Sequence, residues 1–256
     1  METIMMLRQQ LESKLKELKL NGVITALARQ LSSKEYENES FLSRVDDLVN
    51  EQHTEATNKR ITVLQRLAKL RWEHASLSQL DYKLQPSLKQ EIINELAQLD
   101  WVKNHRHIIL SGPAGAGKTY LACAFGQEAI MQKIPVYFCR HNELLLKLVA
   151  AEKEGKFEQF RKKLSKFPVL IIDDWGVSPL NAAQRHLLFE LVESRDQNSS
   201  LLITSQYDIE NWHDAFQDPT VADSVLDRIV HNAYIIHQKE DSLRKAFGIN
   251  GGKKHA

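Results

Sequence analysis

An eight-residue segment near the middle of the chain combines glycines, a lysine and a threonine in the pattern of a phosphate-binding loop. Residues 112–119 read Gly-Pro-Ala-Gly-Ala-Gly-Lys-Thr, which matches GxxxxGK[ST] at every required position. Glycines let the backbone curl so that successive N–H groups point at phosphate oxygens. The Lys118 ammonium can reach the outer phosphates, and the Thr119 hydroxyl can bind Mg²⁺. The segment therefore predicts a site for ATP and Mg²⁺. The residues expected to contact the nucleotide are Gly112, Pro113, Ala114, Gly115, Ala116, Gly117, Lys118, Thr119 and Tyr120.

Two adjacent carboxylates follow a strongly apolar segment. Residues 169–174 read Val-Leu-Ile-Ile-Asp-Asp. A phosphate-binding loop of this kind works with a carboxylate that orients Mg²⁺ at the end of a neighbouring strand, and we assign that role to Asp173. Asp174 is then placed to orient or deprotonate the attacking water. Taken alone the pattern is weak, because acidic residues often end strands in turns, and its position after the loop is what strengthens it.

Two further polar residues are candidates for the same reaction. Ser205 ends the apolar segment 201–205 and could lie between the γ-phosphate and the water. Arg228 lies in a stretch with a helical apolar face, from which it could reach the γ-phosphate of a neighbouring subunit. The alternatives are a strand that simply meets a polar loop at Ser205, and an intrahelical or surface arginine at Arg228.

Short apolar segments alternate with helical stretches from residue 106 onward. Segments of this length that are rich in Ile, Leu and Val suit strands buried on both faces of a parallel sheet. Strands that alternate with helices indicate βαβ units and an α/β fold. The phosphate-binding loop follows the first of these strands and opens a helix, as its chemistry requires. The predicted strands are His107–Ser111, Val136–Cys139, Val169–Asp173, Leu201–Ser205 and Tyr234–His237.

The first 75 residues predict a small all-helical module. They contain no proline and a single glycine, and their leucines recur at helical spacing. Asn21-Gly22 interrupts the first helical pattern, and a third helix is expected from Phe41 to about Trp72. Residues 74–86 lose the period, and Ser87 with Gln90 forms the pattern of a capping box. We therefore expect a helical domain at 1–75 and an ATPase domain at 76–256. The helical domain could bind partners or DNA, or its apolar faces could serve only to build its own core.

Composition is that of an ordinary globular protein. The chain has 256 residues, of which 43% are hydrophobic and 26% charged, and its net charge is +1, so bulk charge says nothing about nucleic acid. Cys123 and Cys139 stand outside any metal-binding pattern, and buried reduced thiols are expected. No apolar run approaches the ~18 residues of a membrane span, and the N-terminus lacks the signal-peptide pattern. We expect a cytoplasmic protein.

The segment between the second and third predicted strands is locally basic. Residues 141–168 carry seven lysines and arginines against four glutamates. Such a cluster could give salt-dependent, sequence-tolerant contacts with DNA phosphates. The alternative is a solvated helix face, which accounts for most lysine-rich stretches. The basic residues are Lys147, Lys153, Lys156, Arg161, Lys162, Lys163 and Lys166.

Taken together, the order of these motifs resembles AAA+ ATPases and, within them, the IstB/DnaC-like branch, with IstB-like helpers of insertion-sequence transposition as the nearest match. The resemblance covers nearly the whole chain, including Leu-Lys-Glu-Leu-Lys-Leu-Asn-Gly (15–22), Leu-Ser-Gln-Leu-Asp-Tyr (77–82) and residues 187–195. It implies an α/β AAA+ P-loop three-layer sandwich with a five-stranded parallel sheet, preceded by a small all-helical domain. It also implies a DNA-binding homo-oligomer that has ATP sites at subunit interfaces, remodels double-stranded target DNA, and recruits and activates the transposase of its element.

The resemblance also implies roles for individual residues. Ser205 would be the first sensor and Arg228 the arginine finger, while Asp81 and Tyr82 would lie near the adenine. Arg244 is a candidate second sensor. Many relatives carry Glu where this chain has Asp174, and the shorter acid suggests slow hydrolysis or a requirement for assembly. The residues expected to line the DNA path are Lys153, Lys156, Arg161, Lys162 and Lys163.

Two other functions fit part of the pattern. A DnaC-type replicative helicase loader would share the fold and differ in its partner. A P-loop small-molecule kinase would share only the phosphate-binding loop, and it is disfavoured by the Asp173–Asp174 pair, by the Arg228 candidate and by the helical front module.

Overall fold

A computed structural model describes residues 2–240 and residue 243 of the chain. Within it the chain divides into two compact units. The units are Met1–Val63 and Leu64–Ala256. The boundary between the units falls within a long helix. The boundary predicted from the sequence, after residue 75, is the place where the helical sequence pattern ends. Each unit has its own packing, and the nucleotide-binding motifs all lie in the second.

The N-terminal unit is helical, with close backbone packing at Gly22. A Cβ at Gly22 would lie 2.5 Å from the Cα of Gln52, so only glycine allows this approach. The Gln52 side-chain oxygen also accepts hydrogen bonds from the N–H groups of Gly22 and Val23, which lack intrahelical partners. Gly22 therefore lies inside a helix, and the predicted interruption falls one turn earlier. The helices are α1 (Glu2–Glu17), α2 (Asn21–Ser32) and α3 (Phe41–Ala68).

A polar network joins α2 to α3. The Arg29 guanidinium contacts Asp47 at 2.7 Å and Glu51 at 2.9 Å. The buried Gln30 amide donates to the Arg44 carbonyl at 2.8 Å and to Asp47 at 2.9 Å. These bonds fix the rotation of α2, because Gln30 has to face the partner helix to satisfy its amide.

The second unit is built on a five-stranded sheet in which every paired strand is parallel. The order is β2-β3-β4-β1-β5, so the strand that leads into the phosphate-binding loop lies between two others. The predicted α/β fold is confirmed, and each predicted strand is present with ends shifted by at most two residues. The strands are β1 (His107–Ser111), β2 (Val136–Arg140), β3 (Val169–Trp175), β4 (Ser200–Ser205) and β5 (Ala233–His237).

Helices cover both faces of the sheet and complete a three-layer arrangement. On one face, α7, α9, α10 and α11 form a large apolar cluster with the strands. On the other, α6 packs against the central strands with almost wholly buried apolar residues. Burial on both faces explains the continuous apolar strand sequences. The helices are α4 (Gln90–Ala97), α5 (Asp100–Lys103), α6 (Lys118–Met131), α7 (His141–Lys153), α8 (Phe157–Leu164), α9 (Ala182–Arg195), α10 (Trp212–Phe216) and α11 (Pro219–Val230).

Arg195 is a buried cation that fixes the turn between α8 and β3. Its guanidinium donates to the carbonyls of Leu164, Phe167 and Ser200 at 2.9–3.1 Å, and the side chain is 1% exposed. Burial lowers its pKa to about 10. The carbonyl dipoles solvate the charge in place of water. Because two of these carbonyls lie at the end of α8 and just before β3, their bonds to Arg195 hold α8 in a defined position.

The two cysteines are free and buried. Burial raises the pKa of Cys123 to about 11 and that of Cys139 to about 12, so both thiols are protonated and unreactive at neutral pH. Among the described residues, no helix has the length and apolar character needed to cross a membrane.

The close approach at Gly22 gives a testable prediction. Gly22→Ala should destabilise the N-terminal unit by about 2 kcal/mol, because the added methyl group forces the α2 and α3 backbones apart. Hydrogen exchange of peptides from residues 23–60 in the intact chain measures the effect. Thr25→Ala, at an exposed position on the same helix, is the control and should exchange like wild type. Equal exchange in Gly22→Ala and wild type would show that the helices tolerate the methyl group.

Candidate functional site

The phosphate-binding loop links β1 to α6 through glycines in left-handed conformations. Gly112, Gly115 and Gly117 have φ values of 140°, 87° and 98°. A Cβ at Gly112 would lie 2.0 Å from the Gln238 carbonyl oxygen, so this position excludes every other residue. The loop therefore has the curled backbone that directs N–H groups towards a phosphate, at the N-terminus of α6.

Lys118 is the first residue of α6 and turns back over the loop. Its ammonium donates to the carbonyls of Gly112 and Pro113, both at 2.7 Å, and the side chain is 6% exposed. These carbonyls hold the positive charge inside the curl of the loop. The loop thus combines a fixed cation with the positive end of a helix dipole, which favours an anionic ligand.

Asp173 lies beneath this loop, fully buried. Its Oδ1 accepts hydrogen bonds from the Thr119 hydroxyl at 2.8 Å and from the Thr204 hydroxyl at 2.6 Å. Burial raises the pKa of this carboxyl, and the two hydroxyl donors partly offset that effect. Three elements, α6, β3 and β4, therefore converge on a single carboxylate oxygen.

The other oxygen of Asp173 makes no hydrogen bond within the described residues. It lies 3.9 Å from the Arg71 guanidinium. A buried carboxylate oxygen beside the Thr119 hydroxyl is the kind of hard oxygen pair that binds Mg²⁺, which usually takes one or two protein oxygens and completes its shell with phosphates and water. In the described residues, no three or more acidic, His or Cys side chains are placed to hold a metal ion together, so a cation here would depend on such added ligands. Thr119 and Asp173 thus fit a magnesium site.

A β-bulge at the end of β3 sets the positions of the two carboxylates. Ile172 pairs with Ile203 and Trp175 with Ser205, so β3 has one residue more than β4 at this point. Asp174 takes a left-handed φ of 60°, and its N–H donates to the Thr204 hydroxyl at 3.1 Å. The bulge interrupts the strict alternation of side chains and leaves Asp173 buried and Asp174 half-buried at the sheet edge.

Thr204 contacts the acidic pair, whereas Ser205 does not. The Ser205 hydroxyl donates to the Trp175 carbonyl and accepts from the Tyr207 N–H and the Trp212 indole N–H, all at 3.0–3.1 Å. One donor and two acceptor sites are all that a hydroxyl has, so these bonds use its full capacity. Ser205 is the residue that the sequence pattern indicated, and Thr204 was not predicted. Which of two adjacent hydroxyls faces Asp173 depends on the bulge, for which the sequence gives no signal.

The linker before α4 contacts the loop through Gln85. This buried side chain donates to the Ala116 carbonyl at 3.1 Å. Asp81 instead accepts from the N–H of Lys83 at 2.9 Å and closes a local turn. Tyr82 is half-buried, and burial raises the pKa of its hydroxyl. No described hydrogen bond joins Asp81 or Tyr82 to the loop.

The segment after β5 contacts the other side of the loop. The N–H of Leu243 donates to the Gly115 carbonyl at 3.0 Å. The Glu240 carboxylate accepts from both the N–H and the hydroxyl of Ser87 at 2.6 Å, so Ser87 joins the linker to this segment and does not cap α4 as predicted. Within the described part of the chain, neither amide atom of the fully buried Gln238 side chain has a hydrogen-bond partner. Arg244, the candidate second sensor, lies outside the described residues.

The side chains of Tyr120 and Arg228 both make their contacts away from Asp173. The Tyr120 hydroxyl donates to the Gln79 side chain at 2.9 Å, and its ring meets Trp72 edge-on. Arg228 forms an ion pair with Glu193 at 3.1 Å and lies 5.5 Å from the ring centre of Phe189. These contacts place the Arg228 guanidinium on α9 of its own chain.

The five basic residues predicted to line the DNA path lie on α7, α8 and the turn between them. Lys156 pairs with Glu154 at 2.9 Å, and Arg161 pairs with Glu158 at 2.8 Å. Lys153, Lys162 and Lys163 are exposed and form no ion pair within the described part of the chain. The apolar side of α8 packs on the core cluster through Phe157 and Phe160. The unpaired charges of Lys162 and Lys163 therefore face solvent from a helix that is packed on the core.

Comparison with known proteins finds a family match over most of the chain. Residues 13–248 match the model of the IstB-like ATP binding protein family. A Sinorhizobium fredii protein named as an insertion sequence ATP-binding protein is 34% identical over 232 residues, which are 91% of this chain and 94% of the relative. A similarly named protein of Pseudomonas aeruginosa is 32% identical over 91% of this chain and 86% of its own length.

Solved structures share the architecture of the second unit. The DnaC helicase loader superposes with a TM-score of 0.50 and 24% identity, over 59% of this chain and 88% of that one. DnaI gives a TM-score of 0.54 with 23% identity, over 65% and 92%. The replication initiator DnaA bound to AMPPCP and single-stranded DNA gives 0.54 with 18% identity, over 65% and 50%. At these identities the likeness concerns the fold, which is the AAA+ P-loop sandwich.

The shared hydroxyl at Asp173 gives a prediction that separates Thr204 from its neighbour. Thr204→Val keeps the side-chain shape but removes a donor from a buried carboxylate and an acceptor from the Asp174 N–H. It should lower the free energy of unfolding by about 2 kcal/mol at pH 7. The deficit should shrink at acidic pH, because protonated Asp173 needs the donor less. Urea unfolding followed by fluorescence of the three buried tryptophans, Trp101, Trp175 and Trp212, measures it. Thr204→Ser, which keeps the hydroxyl, is the control, and equal stability of both variants would contradict this role.

Proposed function

The chain belongs to the family of IstB-like ATP-binding proteins, and we propose that it is an ATP-hydrolysing regulator of transposition that assembles on double-stranded target DNA and activates the transposase of its element. ATP binding follows from the family, and relatives named for insertion sequences supply the biological setting. Hydrolysis, DNA binding, assembly and transposase activation are the proposal.

One observation carries the ATPase part of the proposal. The Thr119 hydroxyl at the start of α6 is hydrogen-bonded to the buried Asp173 at the end of β3. A phosphate-binding loop used only as a turn would not need a buried carboxylate beneath it, since burying a charge is costly. The pair is explained if a bound cation offsets the charge of the buried carboxylate. Mg²⁺ would be held by Thr119 and Asp173 and would supply neutralisation of phosphate charge.

The residues of this chain divide the reaction between them. The loop N–H groups and Lys118 bind and orient the phosphates. Thr204 holds Asp173 and the backbone of Asp174 in a fixed relation. We assign to the Asp174 carboxylate the role of general base. One of its oxygens accepts a proton from the attacking water as the new P–O bond forms and the bond to the ADP oxygen breaks. Ser205 supports the strand end through Trp175 and Trp212, so we assign it a positioning role.

Assembly would complete the site. The Arg228 side chain is 26% exposed, and its guanidinium is held by Glu193 on the outer helical layer. An arginine held in this way is preorganised for a partner subunit's γ-phosphate, where it would act as an arginine finger. On this proposal the isolated chain hydrolyses ATP slowly, and the assembled form on DNA does so faster.

DNA contact is assigned to the exposed charges of α7, α8 and the turn between them. Lys153, Lys162 and Lys163 have no acidic partner within the described residues, so their charge is available to phosphates. The helicase-loader alternative would use the same fold. The named relatives favour an insertion-sequence setting, and a transposase gene beside the coding sequence would distinguish the two.

Substitution of Asp174 tests the hydrolytic mechanism. Asp174→Asn should retain ATP binding but lose at least about a hundredfold in turnover, because the amide cannot accept the proton. Phosphate release with duplex DNA and a binding titration measure the two properties separately. Lys118→Ala is the comparison variant and should lose binding itself. DNA-stimulated turnover at the wild-type rate in Asp174→Asn would remove Asp174 from the mechanism.

The DNA assignment predicts a change in salt dependence. The double variant Lys162→Ala/Lys163→Ala should weaken the salt dependence of duplex binding. The negative slope of log K against log salt should become shallower by about 2, one charge for each lysine. The control is Lys89→Ala/Lys103→Ala, which removes two exposed lysines next to α4 and in α5 of the same unit. The control should keep the wild-type slope. A wild-type slope in Lys162→Ala/Lys163→Ala as well would show that DNA binds elsewhere.

A further inference from the structure

A short segment that follows α3 crosses the outer side of α6 and reaches the nucleotide site. We call residues 70–76 the strap. Leu70 packs so closely on α6 that a Cβ at Gly126 would lie 3.1 Å from its side chain. Trp72 meets the Tyr120 ring edge-on, with ring centres 6.2 Å apart, and the Ser76 N–H donates to the Tyr120 hydroxyl at 3.3 Å. The strap is therefore attached along α6, the helix that begins with the phosphate-binding lysine.

Arg71 projects from this strap towards Asp173. Its guanidinium lies 3.9 Å from the Asp173 Oδ2, the oxygen left without a hydrogen bond by Thr119 and Thr204. The distance is that of an ion pair and is too long for a hydrogen bond. The side chain of Arg71 is 40% exposed, and no hydrogen bond to it is found within the described residues. A cation thus lies beside the candidate magnesium site with its hydrogen-bond donors uncommitted.

Charge balance determines what Arg71 can do when nucleotide binds. Mg²⁺ at Asp173 and a guanidinium at the same carboxylate would repel each other. A terminal phosphate brings negative charge to that place, and the planar guanidinium suits its oxygens because it can donate two parallel hydrogen bonds. ADP lacks that phosphate and offers Arg71 no such partner.

We propose that Arg71 is a nucleotide-binding residue that acts within its own subunit and leaves Asp173 for the γ-phosphate when Mg²⁺-ATP binds. The strap moves with Arg71 and distinguishes ATP from ADP. Only two residues separate Arg71 from Ala68, the last residue of α3, so the movement begins where this helix ends. The inference rests on the proposed ATPase function and adds to it an element that senses the bound nucleotide.

Nucleotide selectivity tests the assignment. Calorimetric titrations with Mg²⁺ compare AMPPCP, a non-hydrolysable ATP analogue, with ADP. Arg71→Met should weaken AMPPCP binding by about tenfold, as expected for loss of a charge-assisted hydrogen bond. ADP binding should change by less than about twofold, and Arg71→Lys should be intermediate for AMPPCP because it keeps the charge but not the fork. Arg106→Met, which changes an exposed arginine at the opposite end of β1, should bind both nucleotides like wild type.

Fluorescence supplies a readout independent of affinity. Trp72 is 50% exposed, whereas the other three tryptophans are at most 2% exposed, so Trp72 reports on the strap. AMPPCP but not ADP should change its emission in wild type, and the change should be absent in Arg71→Met at saturating nucleotide and in Trp72→Phe.

Each alternative outcome has a distinct meaning. Equal weakening of AMPPCP and ADP in Arg71→Met would show a purely structural role and overturn the inference, as would unchanged binding of both. If Arg71→Met does not fold, Arg71→Gln and Arg71→Lys carry the same comparison. If the wild-type protein binds neither nucleotide, the proposed function itself is overturned. If the wild-type protein binds nucleotide and every Arg71 variant keeps the same ratio of AMPPCP to ADP affinity, only the strap assignment is overturned.

Discussion

The buried carboxylate of Asp173 is the interaction on which the arrangement of the nucleotide site depends. Removing a charge from water costs several kcal/mol unless other groups replace the lost hydration. Here Thr119 from α6 and Thr204 from β4 donate to one oxygen. The first turn of α6, the end of β3 and the end of β4 must therefore keep their relative positions for the charge to be tolerated. This requirement transmits the geometry of the sheet to the phosphate-binding loop.

The loop itself is constrained from both sides by backbone contacts. Gly112 lies against the Gln238 carbonyl so closely that a side chain is impossible, and Gly115 accepts a hydrogen bond from the N–H of Leu243. The Gln85 amide donates to the Ala116 carbonyl from the linker side. Segments that are far apart in sequence therefore share responsibility for the curvature of eight residues.

The basic surface depends on a different constraint, the buried guanidinium of Arg195. Its bonds to the carbonyls at the end of α8 and before β3 fix α8 against the sheet. Phe157 and Phe160 pack on the core from the other side of the helix. The exposed lysines of α8 thus project from a helix that is packed on the core, and this gives the proposed contacts with DNA phosphates a defined position.

The sequence by itself determined the fold class, the phosphate-binding loop and the acidic pair, because these depend on local composition and on the order of elements along the chain. Continuous apolar segments can be stable only between two helical layers, and GxxxxGK[ST] is a contiguous motif. Tertiary structure alone decided that Thr204, and not Ser205, contacts Asp173, since a bulge of one residue in β3 sets the register with β4. It also revealed Arg71 beside the candidate magnesium site and Gln85 beside the loop, neither of which lies in a recognisable pattern. Such contacts join residues separated by 31 or more positions in the chain, and no local rule relates their spacing to their distance.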